Sequence, residues 1–288
     1  MHILITDSGV GGLSVVAYAE RFVRTHGFTE PVRLTFANAA PENDYGYNSM
    51  PTRAEKLETF DRFLRNVTKR FAPDSIYVAC NTLSVLLPDT PYFADAAIPV
   101  QGIVETGVAL LRKELEADPR SVPIIFGTQT TIDAGAYPRL LRERGIEPSR
   151  IVSQACPGLA DTISEDREGA KTRAEIGQWV GSAIEKMQDR SAPVVVCLAC
   201  THYGYRREQF ADAFAEAGIA ATVVNPNERA VDDLFGTATG ENHDVEVAFV
   251  TRYAIPEATV EALTFFLDDI SPRTVAAMRS FEHVPDLF

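Results

Sequence analysis

Short apolar runs alternate with longer segments of helical periodicity along the whole chain. The apolar runs are typical of buried strands, and the longer segments repeat apolar positions every three or four residues, as helices do. Such alternation is typical of βαβ units, whose strands form parallel sheets. The predicted strands are residues 3–6, 33–37, 75–79, 124–126, 151–153, 194–199, 221–224 and 245–250. The predicted helices are residues 12–24, 52–71, 82–87, 102–117, 132–144, 170–187, 205–217, a segment after Pro226, and 257–267, with an acidic tail beyond the last helix.

Two segments with an offset of 120 positions have similar sequences. Residues 76–82 are Ile-Tyr-Val-Ala-Cys-Asn-Thr, and residues 196–202 are Val-Cys-Leu-Ala-Cys-Thr-His. The same offset relates residues 3–9 to residues 123–129, and an offset of 117 relates residues 33–38 to residues 150–155. The chain is therefore predicted to contain two similar α/β units, each with a thiol at the end of a strand.

The length supports the same division, because 288 residues exceed the usual ~100–200 residues of one domain. We predict an α/β fold of two pseudo-symmetric, doubly wound domains with parallel sheets and an active site in the cleft between them. The first domain is expected to comprise residues 1–98 and 211–288, with Asp7 and Cys80. The second is expected to comprise residues 99–210, with Cys200 and His202.

Composition narrows the range of partners. The formal charge of −13 disfavours nucleic acids and anionic membrane surfaces, since both attract basic proteins. No apolar stretch approaches the ~18 residues that span a bilayer. Four cysteines in a chain of this length fit a reducing compartment better than a disulfide framework, so a cytoplasmic protein is expected.

The residues that follow the predicted strands carry the candidate chemistry. Ligands of open parallel sheets bind beyond the carboxyl ends of the strands. Small polar residues at these positions also form turns and helix caps, but four such loops with two thiols, an acid and an imidazole favour a site. The candidate residues in these loops are Asp7, Ser8, Cys80, Asn81, Thr82, Thr128, Thr131, Cys200, Thr201 and His202.

The two strand-end thiols have plausible proton partners. Cys80 stands where a helix begins, and exposed backbone N–H groups there favour a thiolate. His202 is two residues from Cys200, and Asp7 is the corresponding partner for Cys80. Cys156 and Cys197 are interpreted as small buried hydrophobic residues, which is the common state of a free cysteine.

Other uses of these residues are less favoured. Cys197 and Cys200 form a C-x-x-C pattern, but positions three apart on a strand point to opposite faces, which disfavours a redox pair. A zinc site from Cys80, Cys200 and His202 is chemically possible and ranks below acid–base chemistry. The candidate loops contain almost no Lys or Arg, so hydroxyls and backbone N–H groups are expected to bind a small carboxylate rather than a polyphosphate.

Three motifs together resemble those of the glutamate racemases in the aspartate/glutamate racemase superfamily. They are Asp7-Ser-Gly-Val-Gly-Gly-Leu13, Ala79-Cys-Asn-Thr82 and Ala199-Cys-Thr-His-Tyr203. The resemblance covers about the first 205 residues. It implies an isomerase that needs no cofactor and no metal, in which one thiolate removes the α-proton and the opposite thiol protonates the other face. It also implies supply of D-glutamate for peptidoglycan, and a homodimer, because relatives often form dimers.

The resemblance assigns roles to individual residues. Cys80 would deprotonate D-glutamate and Cys200 would deprotonate L-glutamate, with Asp7 and His202 assisting their respective thiols. Glu165 is the nearest match to a glutamate that the family places near the second histidine. The residues implied to bind substrate are Ser8, Tyr45, Gly46, Asn81, Thr82, Thr128, Thr131 and Thr201.

The sequence departs from the family pattern over residues 37–48, a loop that the resemblance places near the substrate side chain. Asn38 stands where the family usually has an aspartate, and Asp44 stands in place of the proline before Tyr45. Outside this loop, Gly204 replaces the proline that usually follows the Thr-His-Tyr motif. An additional acid at position 44 would repel a γ-carboxylate. The alternatives are therefore a racemase or isomerase for another small carboxylate such as aspartate, and a carboxylate-binding relative without catalysis.

Overall fold

The computed structural model describes residues 1–43 and 45–288, and Asp44 lies outside the described residues. Its strands are β1 (His2–Asp7), β2 (Val32–Asn38), β3 (Ser75–Val78), β4 (Val100–Gly102), β5 (Val122–Gly127), β6 (Val152–Ala155), β7 (Val194–Ala199), β8 (Ala221–Val224), β9 (Val245–Thr251) and β10 (Glu282–His283). Its helices are α1 (Leu13–His26), α2 (Arg53–Phe71), α3 (Asn81–Ser84), α4 (Pro91–Asp95), α5 (Val104–Ala117), α6 (Gln129–Asp133), α7 (Ala136–Glu143), α8 (Leu159–Glu165), α9 (Ala170–Glu185), α10 (Arg207–Glu216), α11 (Pro226–Phe235), α12 (Glu257–Leu267) and α13 (Pro272–Arg279).

The chain forms two units, each built on a parallel sheet. Unit 1 contains Met1–Ile103 and Asn227–Phe288, and unit 2 contains Val104–Pro226. The sheet of unit 1 has the strand order β10-β9-β2-β1-β3-β4, and the sheet of unit 2 has the order β6-β5-β7-β8. The α/β class with two parallel sheets is therefore confirmed. The C-terminal segment belongs to unit 1, where β9 pairs with β2.

The predicted duplication is confirmed by strand order and register. The order β2-β1-β3-β4 in unit 1 matches β6-β5-β7-β8 in unit 2. Leu4 aligns with Thr35 in the first sheet, and Ile124 aligns with Val152 in the second. Leu4 and Ile124 are 120 positions apart, and Thr35 and Val152 are 117 positions apart. Both offsets found in the sequence therefore reflect one strand arrangement that is used twice.

The two compact units divide the chain at positions beyond the boundaries expected from the sequence. The sequence placed them at residues 98/99 and 210/211, whereas the units divide after Ile103 and after Pro226. β4 pairs with β3, which keeps residues 100–102 in unit 1. β8 pairs with β7, which keeps residues 221–224 in unit 2. The boundaries thus follow sheet membership.

Some elements differ from the predicted ones. The predicted helix over residues 132–144 is two helices, α6 and α7, separated at Gly135, whose φ of 63° lies in the left-handed region that interrupts a helix. β4, β10, α4 and α8 were not predicted. The helix over residues 257–267 is not the last, because α13 and β10 lie in the segment predicted to be an acidic tail.

Each unit has its own hydrophobic core. In unit 1, Thr52 caps the N-terminus of α2 by accepting a hydrogen bond from the Glu55 N–H. The helix buries Phe60, Phe63 and Leu64 on one face. In unit 2, Phe126 of β5 packs edge-on against Phe210, with ring centroids 5.1 Å apart. Among the described residues, every helix is too short or too polar to span a lipid bilayer.

Candidate active-site residues

In unit 1, neighbouring strands bring Asp7, Ser8 and Cys80 to one edge of the sheet. Thr6 of β1 aligns with Val78 of β3, and the Ala79 N–H donates to the Thr6 carbonyl at 2.9 Å. The residues that follow both strands therefore lie side by side. Because β1 and β3 are parallel neighbours, the motifs that contain Asp7 and Cys80 form one cluster although they are distant in the sequence.

Cys80 has two hydrogen-bond partners. It is the N-cap residue of α3, and its Sγ accepts a hydrogen bond from the Leu83 N–H at 3.4 Å. Its Sγ also lies 3.0 Å from Ser8 Oγ. Only 5% of Cys80 is exposed. The thiol is thus held at the start of α3 and against the loop after β1.

The surroundings of Cys80 favour the protonated thiol. Burial raises the pKa of Cys80 well above its ordinary value, and the negative charge of Asp7 raises it further. The hydrogen bonds from Ser8 and Leu83 act in the opposite direction and stabilise the thiolate. The backbone N–H at the start of α3 therefore stabilises the thiolate as expected, but burial has the larger effect and raises the pKa of Cys80.

Asp7 is the acid whose charge acts on this thiol, and the space for its carboxylate depends on Gly12. Asp7 is 2% exposed. A Cβ atom on Gly12 would lie 2.8 Å from both Cβ and Oδ2 of Asp7. The small size of Gly12 therefore leaves room for the Asp7 carboxylate. This role was not predicted from the sequence, although the Gly-rich segment after β1 is where it could have been recognised.

The predicted binding residues of unit 1 lie in two places. Asn81 and Thr82 are buried in α3, directly after Cys80. Tyr45 is 37% exposed, and its hydroxyl donates to Glu55 Oε1 at 2.6 Å. Gly46 is half-buried, with open space where a Cβ would lie. The Tyr45 hydroxyl is thus engaged by an acid at the start of α2.

Two departures from the family pattern, Asn38 and Gly204, have structural consequences. The Asn38 side chain donates to Thr251 Oγ1 at 3.3 Å and to the Tyr253 hydroxyl at 3.2 Å, so it ties the end of β2 to β9. A Cβ on Gly204 would meet the Asn225 side chain at 2.7 Å, which explains why a small residue stands there.

In unit 2, the equivalent edge carries Thr128, Cys156 and Cys200. Gly127 at the end of β5 aligns with both Ala155 and Ala199, so the next residue of each strand lies at the same edge. Thr128 caps α6 by accepting from the Thr131 N–H at 3.3 Å. The hydroxyls of Thr128 and Thr131 are 3.0 Å apart. These two predicted binding residues are therefore brought together.

Cys200 occupies the place in unit 2 that Cys80 occupies in unit 1. Cys200 is 6% exposed, Thr201 is buried, and His202 is half-buried with its ring 6.4 Å from that of Tyr205. Tyr203 is buried and donates to the Cys156 carbonyl at 3.2 Å. Burial raises the pKa of Tyr203 well above its ordinary value, and the charge of ionised Cys200 adds to that rise.

The two remaining cysteines are buried free thiols, as predicted. Burial raises the pKa of Cys197 to about 12 and raises that of Cys156 as well. Glu165 is exposed at the last position of α8. Within residues 1–43 and 45–288, no group of three or more His, Cys, Asp or Glu side chains is arranged to hold a metal ion.

The fold is shared with racemases of known structure. The crystal structure of glutamate racemase isoform RacE1 from Bacillus anthracis aligns with a TM-score of 0.72 over 92% of this chain and 93% of its own, at 22% identity. The two parallel sheets thus form an α/β fold that this racemase structure shares.

Sequence comparison gives the family. The family model described as Asp/Glu/hydantoin racemase matches residues 16–234. A glutamate racemase from a Nitratiruptor species is 29% identical over 80% of this chain and 81% of its own. A glutamate racemase from Aquifex pyrophilus is 30% identical over 70% of this chain and 71% of its own. The chain belongs to the Asp/Glu/hydantoin racemase family, which places it in the isomerase class of enzymes.

Proposed function

We propose that the protein is a cofactor-independent, two-base racemase that interconverts L- and D-glutamate. The observation that carries this proposal is the duplicated strand order, which ends the third strand of each repeat in a buried thiol, Cys80 in unit 1 and Cys200 in unit 2. Racemisation needs one proton acceptor and one proton donor on opposite faces of the same carbon. Two equivalent thiols supply that pair, and the names of the sequence relatives favour glutamate as substrate.

In the proposed mechanism, the α-proton of D-glutamate passes to the Cys80 thiolate. The resulting carbanion takes a proton from the Cys200 thiol on its other face, which gives L-glutamate and leaves a Cys200 thiolate. The reverse direction exchanges the roles. Asp7 and His202 are the proposed proton partners of Cys80 and Cys200, respectively.

The protonation state of Cys80 fits one half of this cycle directly. A thiol with a raised pKa is a proton donor near neutral pH, as the L-to-D direction requires. For the D-to-L direction, Cys80 must first lose its proton. A substrate ammonium group close to the sulfur would favour the thiolate, because an opposite charge lowers the pKa of a thiol.

The proposed substrate contacts use neutral donors. Hydroxyls and amides hold the carboxylates and the ammonium group, without a cofactor or metal. The proposed set is Ser8, Tyr45, Gly46, Asn81, Thr82, Thr128, Thr131 and Thr201. The exposed Tyr45 hydroxyl must leave Glu55 if it is to bind substrate.

A second candidate substrate is another small amino acid such as aspartate. The observation that favours it is the sequence of the loop, where Asp44 precedes Tyr45 and adds a negative charge. A longer side chain with a terminal carboxylate would experience more repulsion from this acid than a shorter or neutral one.

Incubation in D2O with each enantiomer of glutamate and of aspartate tests the proposal. The expected result is exchange of the α-hydrogen together with inversion of glutamate. NMR measures the exchange, and optical rotation measures the inversion. Inversion of aspartate alone selects the second candidate. Binding of either acid without exchange shows a carboxylate-binding protein and contradicts the racemase proposal.

The proposal extends to the cellular role. A glutamate racemase supplies D-glutamate for peptidoglycan, and four free thiols suit the reducing cytoplasm. We also propose that the protein forms a homodimer. Light scattering of the purified protein tests this by measuring its molar mass in solution.

A further inference from the structure

Tyr47 is a buried tyrosine in the loop between β2 and α2. It is 1% exposed and packs edge-on against Phe60, with the ring centroids 6.2 Å apart. Tyr47 belongs to the same cluster of buried side chains as Cys80 and Leu83. Its hydroxyl is buried and forms no hydrogen bond with any residue that the structure describes. A polar atom thus lies inside the core of unit 1, in the cluster that contains the thiol.

Packing does not explain this hydroxyl. A buried donor without a partner destabilises the folded state, and most native structures contain few such groups. Phenylalanine would place the same ring against Phe60 without burying a polar atom. A role in the chemistry of a site is one reason why a protein retains such a group despite its cost.

The charges around the thiol show what the hydroxyl would do. Burial and the Asp7 carboxylate disfavour a Cys80 thiolate, and the hydrogen bonds from Ser8 and Leu83 favour it. Burial holds the pKa of Tyr47 well above its ordinary value, ionised Cys80 raises it further, and Arg62 of α2 lowers it. Tyr47 therefore remains a neutral O–H donor when Cys80 carries a negative charge.

We propose that Tyr47 is a positioning residue for Cys80, and that its hydroxyl donates a hydrogen bond to Cys80 Sγ when the thiol has lost its proton. The bond is made only in the thiolate state, which accounts for the unpartnered hydroxyl in the thiol state. The inference rests on the proposed function, in which Cys80 alternates between the two states. It adds a third donor to those from Ser8 and Leu83.

The test measures the thiol without using enzyme activity. Full-length wild type and Tyr47→Phe are alkylated with iodoacetamide across a range of pH, and the Cys80 and Cys200 peptides are quantified separately by mass spectrometry. Tyr47→Phe is expected to raise the pH midpoint of Cys80 alkylation by about one unit, which is tenfold less thiolate at a fixed pH. The midpoint of the Cys200 peptide is expected to stay unchanged.

Tyr92→Phe is the matched control. Tyr92 is buried in the same cluster, but its hydroxyl already lies 2.6 Å from Thr68 Oγ1. This variant should lower the urea midpoint of unfolding and leave the Cys80 alkylation midpoint unchanged, whereas Tyr47→Phe should keep or raise the urea midpoint. If Tyr47→Phe folds poorly, Tyr47→Leu provides the same alkylation measurement.

An unshifted Cys80 midpoint in a folded Tyr47 variant overturns the inference. An equal shift of the Cys80 and Cys200 peptides also overturns it, because the effect is then not specific to Cys80. The proposed function is judged separately by racemisation in the wild type. A Cys80-specific shift in a protein that racemises nothing supports the contact between Tyr47 and Cys80 and contradicts the proposed function.

Discussion

At the scale of single residues, the pKa of Cys80 is set by opposing effects of its neighbours. Burial and Asp7 favour the thiol, and hydrogen bonds from Ser8 and Leu83 favour the thiolate. Small changes in its neighbours therefore change how readily the proton leaves. Motif comparison predicted Asp7, Ser8 and Cys80 because each stands at a strand end. It did not predict Tyr47, whose place in the same buried cluster as the thiol depends on how a loop of irregular sequence packs into the core.

Gly12→Ala is expected to displace the Asp7 carboxylate and to reduce racemisation by at least about tenfold. The physical reason is the 2.8 Å separation between the added Cβ and Asp7. The backbone is not the obstacle, since the φ of Gly12 is −65°. Initial rates in both directions measure the effect.

Gly177→Ala is the control for this change. Gly177 is exposed in α9, with open space around its Cβ position, so alanine should stabilise the fold by about 0.5–1 kcal/mol and leave activity intact. Equal activity in the Gly12→Ala and Gly177→Ala proteins would contradict the role given to Gly12.

At the scale of elements, the repeat was predictable and the short elements were not. Strongly apolar strands such as β1, β5 and β7 stand out in the sequence, and their spacing revealed the duplication. β4 has three residues, Val-Gln-Gly, and none of them is fully buried, so its sequence carries little strand signal. β10 has only two residues and is exposed. Such elements are determined by pairing with neighbours that the sequence does not reveal.

Ser84→Ala tests how the element that carries Cys80 is held. Ser84 Oγ donates to the Val78 carbonyl at 3.0 Å and accepts from the Ile103 N–H at 3.1 Å, so it joins α3 to β3 and to the end of β4. Loss of both bonds should lower the free energy of unfolding by about 1–3 kcal/mol. Racemisation should fall with it, because α3 begins at Cys80.

Ser182→Ala provides the comparison, since Ser182 is half-buried within α9 and alanine is the better helix former. Urea unfolding of the two variants measures the difference. Equal midpoints would show that Ser84 does not hold α3 in place.

At the scale of the whole molecule, sheet membership decides the division of the chain. The repeated motifs predicted two units, and the C-terminal segment was expected to pack with the first. The sheet to which β4 or β8 belongs cannot be read from the sequence, because only the pairing of β4 with β3 and of β8 with β7 shows it. The buried thiols and phenols of both units also affect global stability.

The free energy of unfolding is expected to fall as the pH rises above about 8.5. Burial raises the pKa values of Cys80, Cys156, Cys197, Tyr47 and Tyr203 in the folded state. Above the unfolded thiol pKa, the unfolded chain loses protons that the folded chain keeps, so unfolding becomes more favourable. The stabilisation is complete below that pKa and is lost toward the folded values, about 12 for Cys197.

Urea midpoints at about pH 7.5 and about pH 10 measure this loss. Cys197→Ala should show a smaller decrease between the two conditions than wild type, since it removes one of the contributing thiols. A midpoint that stays constant or rises toward alkaline pH would contradict the pKa directions given above.

The most direct test of the central claim is racemisation of glutamate by the single variants Cys80→Ala and Cys200→Ala, with Cys197→Ala as the buried-thiol control. The account predicts that each of the first two loses turnover in both directions, because the thiol on one face cannot complete the reaction alone, while Cys197→Ala keeps most of the wild-type rate. Near-wild-type racemisation by either Cys80→Ala or Cys200→Ala would contradict it.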